Sequence, residues 1–600
     1  MWGILNFIRR NRQLFLLVNV LRSIKKYGFI KTLREIAGGM RQKKVPLQYY
    51  KGLSKSEKKS QLNMVFYKKY KISIITSLHN TPEQYLADMI ESVTEQTYSN
   101  WELCLVDGSD ENNANVKKLC DDYVQKDSRI KYVKVDNKLG VSDRLNEAIK
   151  ISSGDFIGHL HQSDVLHPSC LYEIMKAICN EDADFIYSDE AYFSETYYVS
   201  LRHHKPNYAI DTLCSHNYIS HFTAFSRNLL NKAGPFRSEY DGSQDYDIIL
   251  RLTDIASKIY HINKLLYFHR NDKKPIPSDV KKKIENISAA EKVIDEYLKK
   301  HNKSALVQSK IELPGYYRVI YNIAENPLVS IIIPNKDNAP MLRKCLSSIL
   351  HKTTYLNYEI LIVENNSKDD ATFALYEEIK RYKNINIVYW KEQGFNFSEI
   401  CNFGVQNANG QQLVFLNNDI IIISPNWIEE MLMYSQRRDI GAVGAKLYYI
   451  NGSIQHAGVV LGMGDIAGHV YNGAPHDTIG YMGRLQIAQN ISVVTAACMM
   501  IKKQVFEDVG CFATEFPNSF NDVDLCLKIR RAGFLNAWTP YAEAYHLESK
   551  SRGYNTNTKR KRQLILDTAL FKKRWEKELT AGDPYYNINF SYEKTDFSFV

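Results

Sequence analysis

The chain has 600 residues, 44% of them hydrophobic and 24% charged, which is ordinary for a globular protein and long enough for two to four domains. Its net charge of +10 is modest, so no nucleic-acid partner is expected. The ten cysteines are scattered without a C-x-x-C pair or metal-finger spacing, which excludes a zinc-finger reading and suggests free thiols in a reducing compartment.

The charge is unevenly placed. Residues 1–44 hold Arg9, Arg10, Arg12, Arg22, Lys25, Lys26, Lys31, Arg34, Arg41, Lys43 and Lys44 against a single Glu35. Their longest apolar run, Leu14–Val18, is far below the ~20 residues that span a bilayer. No cleavage-site pattern follows it. Trp2, Leu5 and Ile8, then Leu14, Leu17, Leu21 and Ile24, recur at helical spacing. A basic amphipathic segment of this kind suits either an anionic membrane surface or packing on the first domain. Residues 45–70 are polar and Lys-rich and read as a linker, so 1–70 is expected to be an extension.

From Lys71 strands alternate with helices. Ile72–Thr76 is a short apolar run suited to a buried parallel strand, and Pro82 opens a helix through Tyr85, Met89, Ile90 and Val93. Strands follow at Trp101–Val106, Ile130–Val135 and Asp155–Leu160. Ser278–Asn302 reads as a charged helix that closes a first domain, 71–302. Residues 303–326 connect to a second domain, 327–600. There the strands fall at Val329–Ile333, Tyr358–Val363, Ile385–Trp390 and Gln412–Leu416, with a helix through Leu342, Leu346 and Ile349. The tail carries Trp575 and the Tyr-rich Asp583-Pro584-Tyr585-Tyr586 and is expected to fold over a domain surface. Alternating strands and helices predict two tandem α/β domains with mostly parallel sheets and right-handed crossovers. Ligands of such sheets bind at the carboxyl ends of strands, where Asp107, Asp164, Glu364 and Asp419 stand.

The two halves are copies. Ile72-Ser73-Ile74-Ile75 matches Val329-Ser330-Ile331-Ile332, and Asp107 then falls on Glu364. Ser243-Gln244-Asp245-Tyr246-Asp247, after Gly242, matches Phe520-Asn521-Asp522-Val523-Asp524, and the same offset carries His269 onto His546. Each D-x-D precedes an apolar, Arg-ended helical run. Asp522 alone reads as an N-cap, or as an acidic side chain favoured by the helix dipole at a cleft mouth. A second copy with a distant His at matched spacing favours a functional role.

Both halves resemble the inverting glycosyltransferases of family 2, which have the GT-A fold. The second half carries the fuller motif set: Ser330-Ile331-Ile332-Ile333-Pro334, Phe395-Asn396-Phe397-Ser398, Phe415-Leu416-Asn417-Asn418-Asp419, Gln455-His456-Ala457-Gly458, Val494-Thr495-Ala496-Ala497-Cys498, the Asp522 stretch, and Tyr545-His546-Leu547-Glu548-Ser549. The resemblance implies a nucleotide-sugar donor and a glycan or lipid-linked glycan acceptor. It implies a divalent cation, Mg²⁺ or Mn²⁺, and work at the inner face of the cytoplasmic membrane. It makes Asp522 and Asp245 general bases, with Asp419 and His546 as metal ligands. Pro334, Glu364, Asn418, Asp107 and Asp164 are implied at the nucleotide sugar. In the first half His161-Gln162-Ser163-Asp164 replaces the acidic D-x-D-D of relatives, leaving Asp164 with His269 as the expected metal residues. That domain is expected either to be an active transferase with an altered metal site or to bind acceptor only.

Overall fold

The computed structural model describes residues 45–271, 280–310, 313–392, 394–547 and 558–600. The basic segment 1–44 lies outside them, as do Glu548, Ser549 and the side chains of Lys559, Arg560 and Lys561.

Each repeat builds a ten-stranded sheet. In the first, Ile72–Leu78 lies between Trp101–Asp107 and Phe156–His159, parallel to both, and Ile130–Lys134 extends the parallel edge. In the second, Val329–Asn335 lies between Tyr358–Glu364 and Gln412–Leu416, again parallel to both, with Ile385–Tyr389 at the edge. These central strands are buried on both faces, which is why they read as continuous apolar runs and not as alternation. Thr223–Ser226 and Cys498–Lys502 then enter antiparallel and turn each sheet toward its second half. The chain is thus mixed α/β, with two large sheets that are parallel at their centres, as the GT-A resemblance implies.

The duplication extends to buried polar pairs. Ser73 Oγ donates to Glu102 at 2.7 Å and accepts from the Gly154 N–H at 2.8 Å. Ser330 Oγ donates to Glu359 at 2.6 Å and accepts from the Gly410 N–H at 2.8 Å. A Cβ on either glycine would come within 2.6 Å of that serine oxygen, so both positions need glycine for close approach.

The residues expected only to connect do more. Ala305–Ser309 and Tyr317–Tyr321 form an antiparallel hairpin. Its Tyr317, Val319 and Tyr321 join one apolar cluster that runs from Ile75 and Ile157 of the first sheet to Ile331 and Val414 of the second. Val45–Pro46 pairs with Tyr198–His203 at the edge of the first sheet. The tail bridges both domains: Asp583 accepts from Leu461 N and Ser492 Oγ, and Asn587 Nδ2 donates to Asp189 and to the Lys205 carbonyl.

A buried ion pair crosses between the domains. Arg437 Nη1 contacts Asp211, Asn490 Nδ2 donates to the same carboxylate at 2.6 Å, and Arg437 Nη2 lies 2.7 Å from Asp439. Removing the cation would strand Asp211 in the interior. Arg437→Ala is expected to destabilise the chain by about 3–5 kcal/mol, and Asp211→Leu with Arg437→Met to recover most of it. Denaturant midpoints measure this, and an unchanged midpoint in Arg437→Ala would refute it.

Candidate active site

In the second domain, strand Gln412–Leu416 delivers Asn417-Asn418-Asp419 at its carboxyl end. The chain then reverses, and Ile420–Ile422 pairs antiparallel with the end of Leu535–His546, setting Ile420 opposite His546. That register brings His546 Nε2 to 3.2 Å from Asp419 Oδ1. Gln455 Oε1 lies 2.7 Å from His546 Nδ1, and Asn417 Nδ2 lies 3.3 Å from Nε2. With the proton on Nδ1 donated to Gln455, the Nε2 lone pair faces the carboxylate. Asp419 Oδ1 is itself buried and has no hydrogen-bond donor among the described residues. Asp419 Oδ1 and His546 Nε2 thus face each other, with the Asn417 amide donating toward Nε2, and a cation between them would satisfy the carboxylate oxygen. No group of three or more His, Cys, Asp or Glu side chains gathers around one point among the described residues. The protein would thus supply two ligands, which suits a hard cation that keeps water or phosphate oxygens.

Helix Asn521–Arg531 presents Asp522 from its first turn, after Phe520 in the left-handed region (φ 64°). Asp522 accepts from the Ala496 N–H at 3.2 Å and the Val523 N–H at 2.9 Å. It lines a cavity of about 340 Å³ together with Asn417, Tyr449, Gln455, Phe520 and His546. The helical spacing splays the D-x-D pair, as its period requires. Asp524 is fully buried and receives Trp575 Nε1 at 2.9 Å and Arg574 Nη1 at 3.1 Å, so it anchors the C-terminal helices. In the first domain Asp247 is likewise buried and is held by Arg237 and by Arg251 of its own helix.

Glu364 closes its strand but is turned away from the cavity. Its carboxylate receives the Ser367 N–H, Ser367 Oγ at 2.7 Å and Tyr376 OH at 2.5 Å. Tyr376 OH accepts from Asn335, whose Oδ1 accepts from Asn418 Nδ2 at 2.7 Å. Glu364 thus braces the strand ends and, through this chain of bonds, orients Asn418. Pro334 lies half-buried one residue before Asn335. Asp107 is equally enclosed: Ser109 N–H donates at 2.7 Å, Tyr132 OH at 2.8 Å and Lys134 Nζ at 3.0 Å. Burial works against its charge, but the Ser109 and Lys134 donors outweigh it and hold the carboxyl below its usual range.

The first domain departs most at Asp164. Ile75 lies opposite His159, and its counterpart Ile332 lies opposite Phe415. Counting on from these pairs sets Ser163 at the place of Asp419 and Asp164 at the place of Ile420. The other side of the hairpin agrees, since Val165 lies opposite Phe268, one residue before His269. Asp164 is fully buried. It receives Tyr267 OH at 2.5 Å, His269 Nδ1 at 2.8 Å and the Arg270 N–H at 2.9 Å. Burial raises the cost of its charge, yet His269 and these donors hold the carboxyl far below its usual range. The expectation that Asp164 faces a metal or a nucleotide is therefore corrected: its carboxylate is enclosed by protein donors, the part-exposed His269 among them.

Asp245 stands at the start of helix Gln244–Ile255, as Asp522 does in its own helix. Its Oδ1 lies 2.9 Å from His159 Nδ1, and Gln244 Nε2 donates to Oδ2 at 3.0 Å. Burial opposes ionisation here, but the His159 imidazole pulls the carboxyl down to about 2. Beside the pair is a cavity of about 220 Å³ whose lining includes His79, Arg144, His159, His161 and Gln244. The sequence reading did not single out Gln455, Arg144 or His159 as functional. Gln455 stood in a quoted motif, and His159 was an imidazole ending an otherwise apolar strand.

The family model described as glycosyl transferase family 2 matches residues 73–234 and 330–510. An uncharacterised protein of Sinorhizobium fredii is 36% identical over 530 residues, covering 88% of this chain and 58% of that one. The O-antigen biosynthesis protein RfbC of Myxococcus xanthus is 32% identical over 527 residues, covering 88% of this chain and 40% of its own length. The chain thus spans about half the length of these relatives. Among solved structures, a mannosyltransferase of Pyrobaculum calidifontis in complex with GDP-Man and Mn²⁺ is 17% identical over 38% of this chain and 59% of its own, with a TM-score of 0.30.

Proposed function

Since the chain belongs to glycosyl transferase family 2, and is a glycosyltransferase, we propose that it moves sugars from nucleotide-sugar donors onto a growing bacterial surface polysaccharide or lipid-linked glycan, with inversion at the anomeric carbon. The observation that carries this is the second-domain cavity, where Asp522, Asn417 and His546 share one wall system beside Asp419. The name of the Myxococcus relative, an O-antigen biosynthesis protein, supports a surface glycan as product.

Asp522 is the general base. Backbone N–H groups fix its carboxylate at the cavity, where it accepts the acceptor hydroxyl's proton as the oxygen attacks from the face opposite the leaving group. Asp419 and His546 would hold a divalent cation, which supplies Lewis-acid stabilisation of the charge growing on the departing diphosphate. Gln455 keeps His546 in the tautomer that offers Nε2. Asn418, oriented by the Glu364–Tyr376–Asn335 chain, stands at the donor side. Incubating the chain with a panel of nucleotide sugars and Mn²⁺ tests the reading. Release of nucleoside diphosphate from at least one donor is expected, and no release from any would count against it.

The pairing of Asp245 with His159 beside a cavity favours a second transfer centre in the first domain over a role in acceptor binding alone. No helix among the described residues is long and apolar enough to cross a membrane. Access to a lipid-linked acceptor is assigned to the basic segment 1–44, acting at the cytoplasmic membrane face. The full chain is expected to sediment with anionic vesicles at low salt and partly dissociate at high salt. A chain lacking 1–44 should stay in the supernatant. Equal sedimentation of the two would remove this role.

A further inference from the structure

The two domains place their matched aspartates in different company. Asp522 lines its cavity directly and accepts from backbone N–H groups. Asp245 is not part of its cavity's lining; His159 is, and His159 Nδ1 lies 2.9 Å from Asp245 Oδ1. The difference originates in one strand position. Phe415, opposite Ile332, packs its ring against Phe512 at 4.8 Å, while His159, opposite Ile75, packs against Phe236 at 6.0 Å. An imidazole has replaced a phenyl ring in the same layer. With Nδ1 turned to Asp245, Nε2 is the ring nitrogen free of that contact, on a residue that lines the cavity.

The metal half of the arrangement is gone from the same domain. Ser163 holds the place of Asp419. The nearest carboxylate, Asp164, has both oxygens engaged by Tyr267, His269 and the Arg270 N–H. A different positive group faces the cavity: Arg144, 8% exposed, donates to Ser77 Oγ at 2.7 Å and to the Leu139 carbonyl. Both acceptors are neutral, and no carboxylate forms an ion pair with Arg144 among the described residues. Its charge is therefore available to an anion, as preorganised electrostatic stabilisation requires.

We propose that the first domain is a second catalytic centre of a different kind, in which His159, positioned by Asp245, is the general base and no metal ion takes part. This rests on reading the first domain as a transferase. The acceptor O–H gives its proton to His159 Nε2, and the oxygen lone pair forms the bond to the anomeric carbon. The bond from that carbon to the phosphate oxygen breaks, and its electron pair leaves with the nucleoside diphosphate. Asp245 is a positioning residue: it fixes the imidazole and stabilises the imidazolium, as a carboxylate does behind a catalytic histidine. Arg144 faces the charge on the departing diphosphate.

The test uses the full chain carrying Asp522→Asn, with EDTA present and UDP-glucose, UDP-N-acetylglucosamine and GDP-mannose as donors. Release of nucleoside diphosphate is expected to persist for at least one donor. Adding His159→Ala should lower it by about 10²–10⁴-fold, and free imidazole should restore a measurable part. Asp245→Ala should lower it without rescue by imidazole. Should His159→Ala unfold early, His159→Gln carries the measurement of loss. No release by Asp522→Asn from donors the parent uses, with or without Mn²⁺, would sink the transferase reading of the domain. Release that needs Mn²⁺ would overturn the metal-free assignment. Release that survives His159→Ala but not Asp245→Asn would return the base to Asp245. Loss without imidazole rescue in a variant that melts with its parent would make His159 structural.

Discussion

Asp419→Ala is expected to lower second-domain transfer by about 10³-fold, since a Lewis acid at the leaving group is worth several kcal/mol and each 1.4 kcal/mol is tenfold. Asp419 Oδ1 is buried without a donor among the described residues, so its removal deletes half of a two-ligand cradle and leaves His546 Nε2 with the Asn417 amide alone. The same variant should lose the rise in melting temperature that Mn²⁺ produces by binding the folded chain. Folding itself should be retained, because the turn is held by the Ile420 N–H to the Asn417 carbonyl and the Leu547 N–H to the Asp419 carbonyl, which are backbone bonds. Full transfer by this variant, or by the parent in chelator, in a donor–acceptor pair that depends on Asp522, would remove Asp419 from the site.

Asp522→Asn is expected to lower kcat of that step by about 10²–10⁴-fold. Asparagine keeps the shape and can still accept from one of the Ala496 and Val523 N–H groups, which reach different oxygens of Asp522, but it cannot take the acceptor's proton. Mn²⁺ affinity and donor KM should change little, because Asp522 is the ligand of neither. A large rise in KM with kcat preserved would instead make Asp522 a binding residue.

Much of the architecture was legible because its signals are local. Buried parallel strands such as Ile72–Leu78 and Val329–Asn335 are continuous apolar runs, and the duplication matched strand to strand. Asp522 and His546 were legible as a repeated pair, and the cavity does bring them together. What was not legible depends on contacts between distant residues. Gln455 meets His546 across the sheet, and His159 meets Asp245 from another strand end; neither spacing has a period. Asp164 was misplaced for a sharper reason. It lies one residue beyond the position of Asp419, and in extended chain a shift of one residue sends a side chain to the opposite face. A carboxylate that counts as present in the motif therefore points into the core. Asp107 and Glu364 were rightly placed at strand ends, but the composition could not reveal that Lys134 and Tyr376 would cover them. The tail was expected over one surface; its role in joining two domains through Asn587 and Asp583 required the tertiary structure.

The central claim is direct, in-line displacement by an acceptor oxygen that Asp522 deprotonates. It fixes the stereochemistry of the product. The most direct measurement is the anomeric configuration of the new linkage, read by proton NMR on product made by the full chain with Mn²⁺ from an α-linked nucleotide sugar. For a donor that the first domain does not use, the account predicts a β linkage whose formation is lost in Asp522→Asn. An α linkage, or a covalent sugar adduct on the protein, would contradict it.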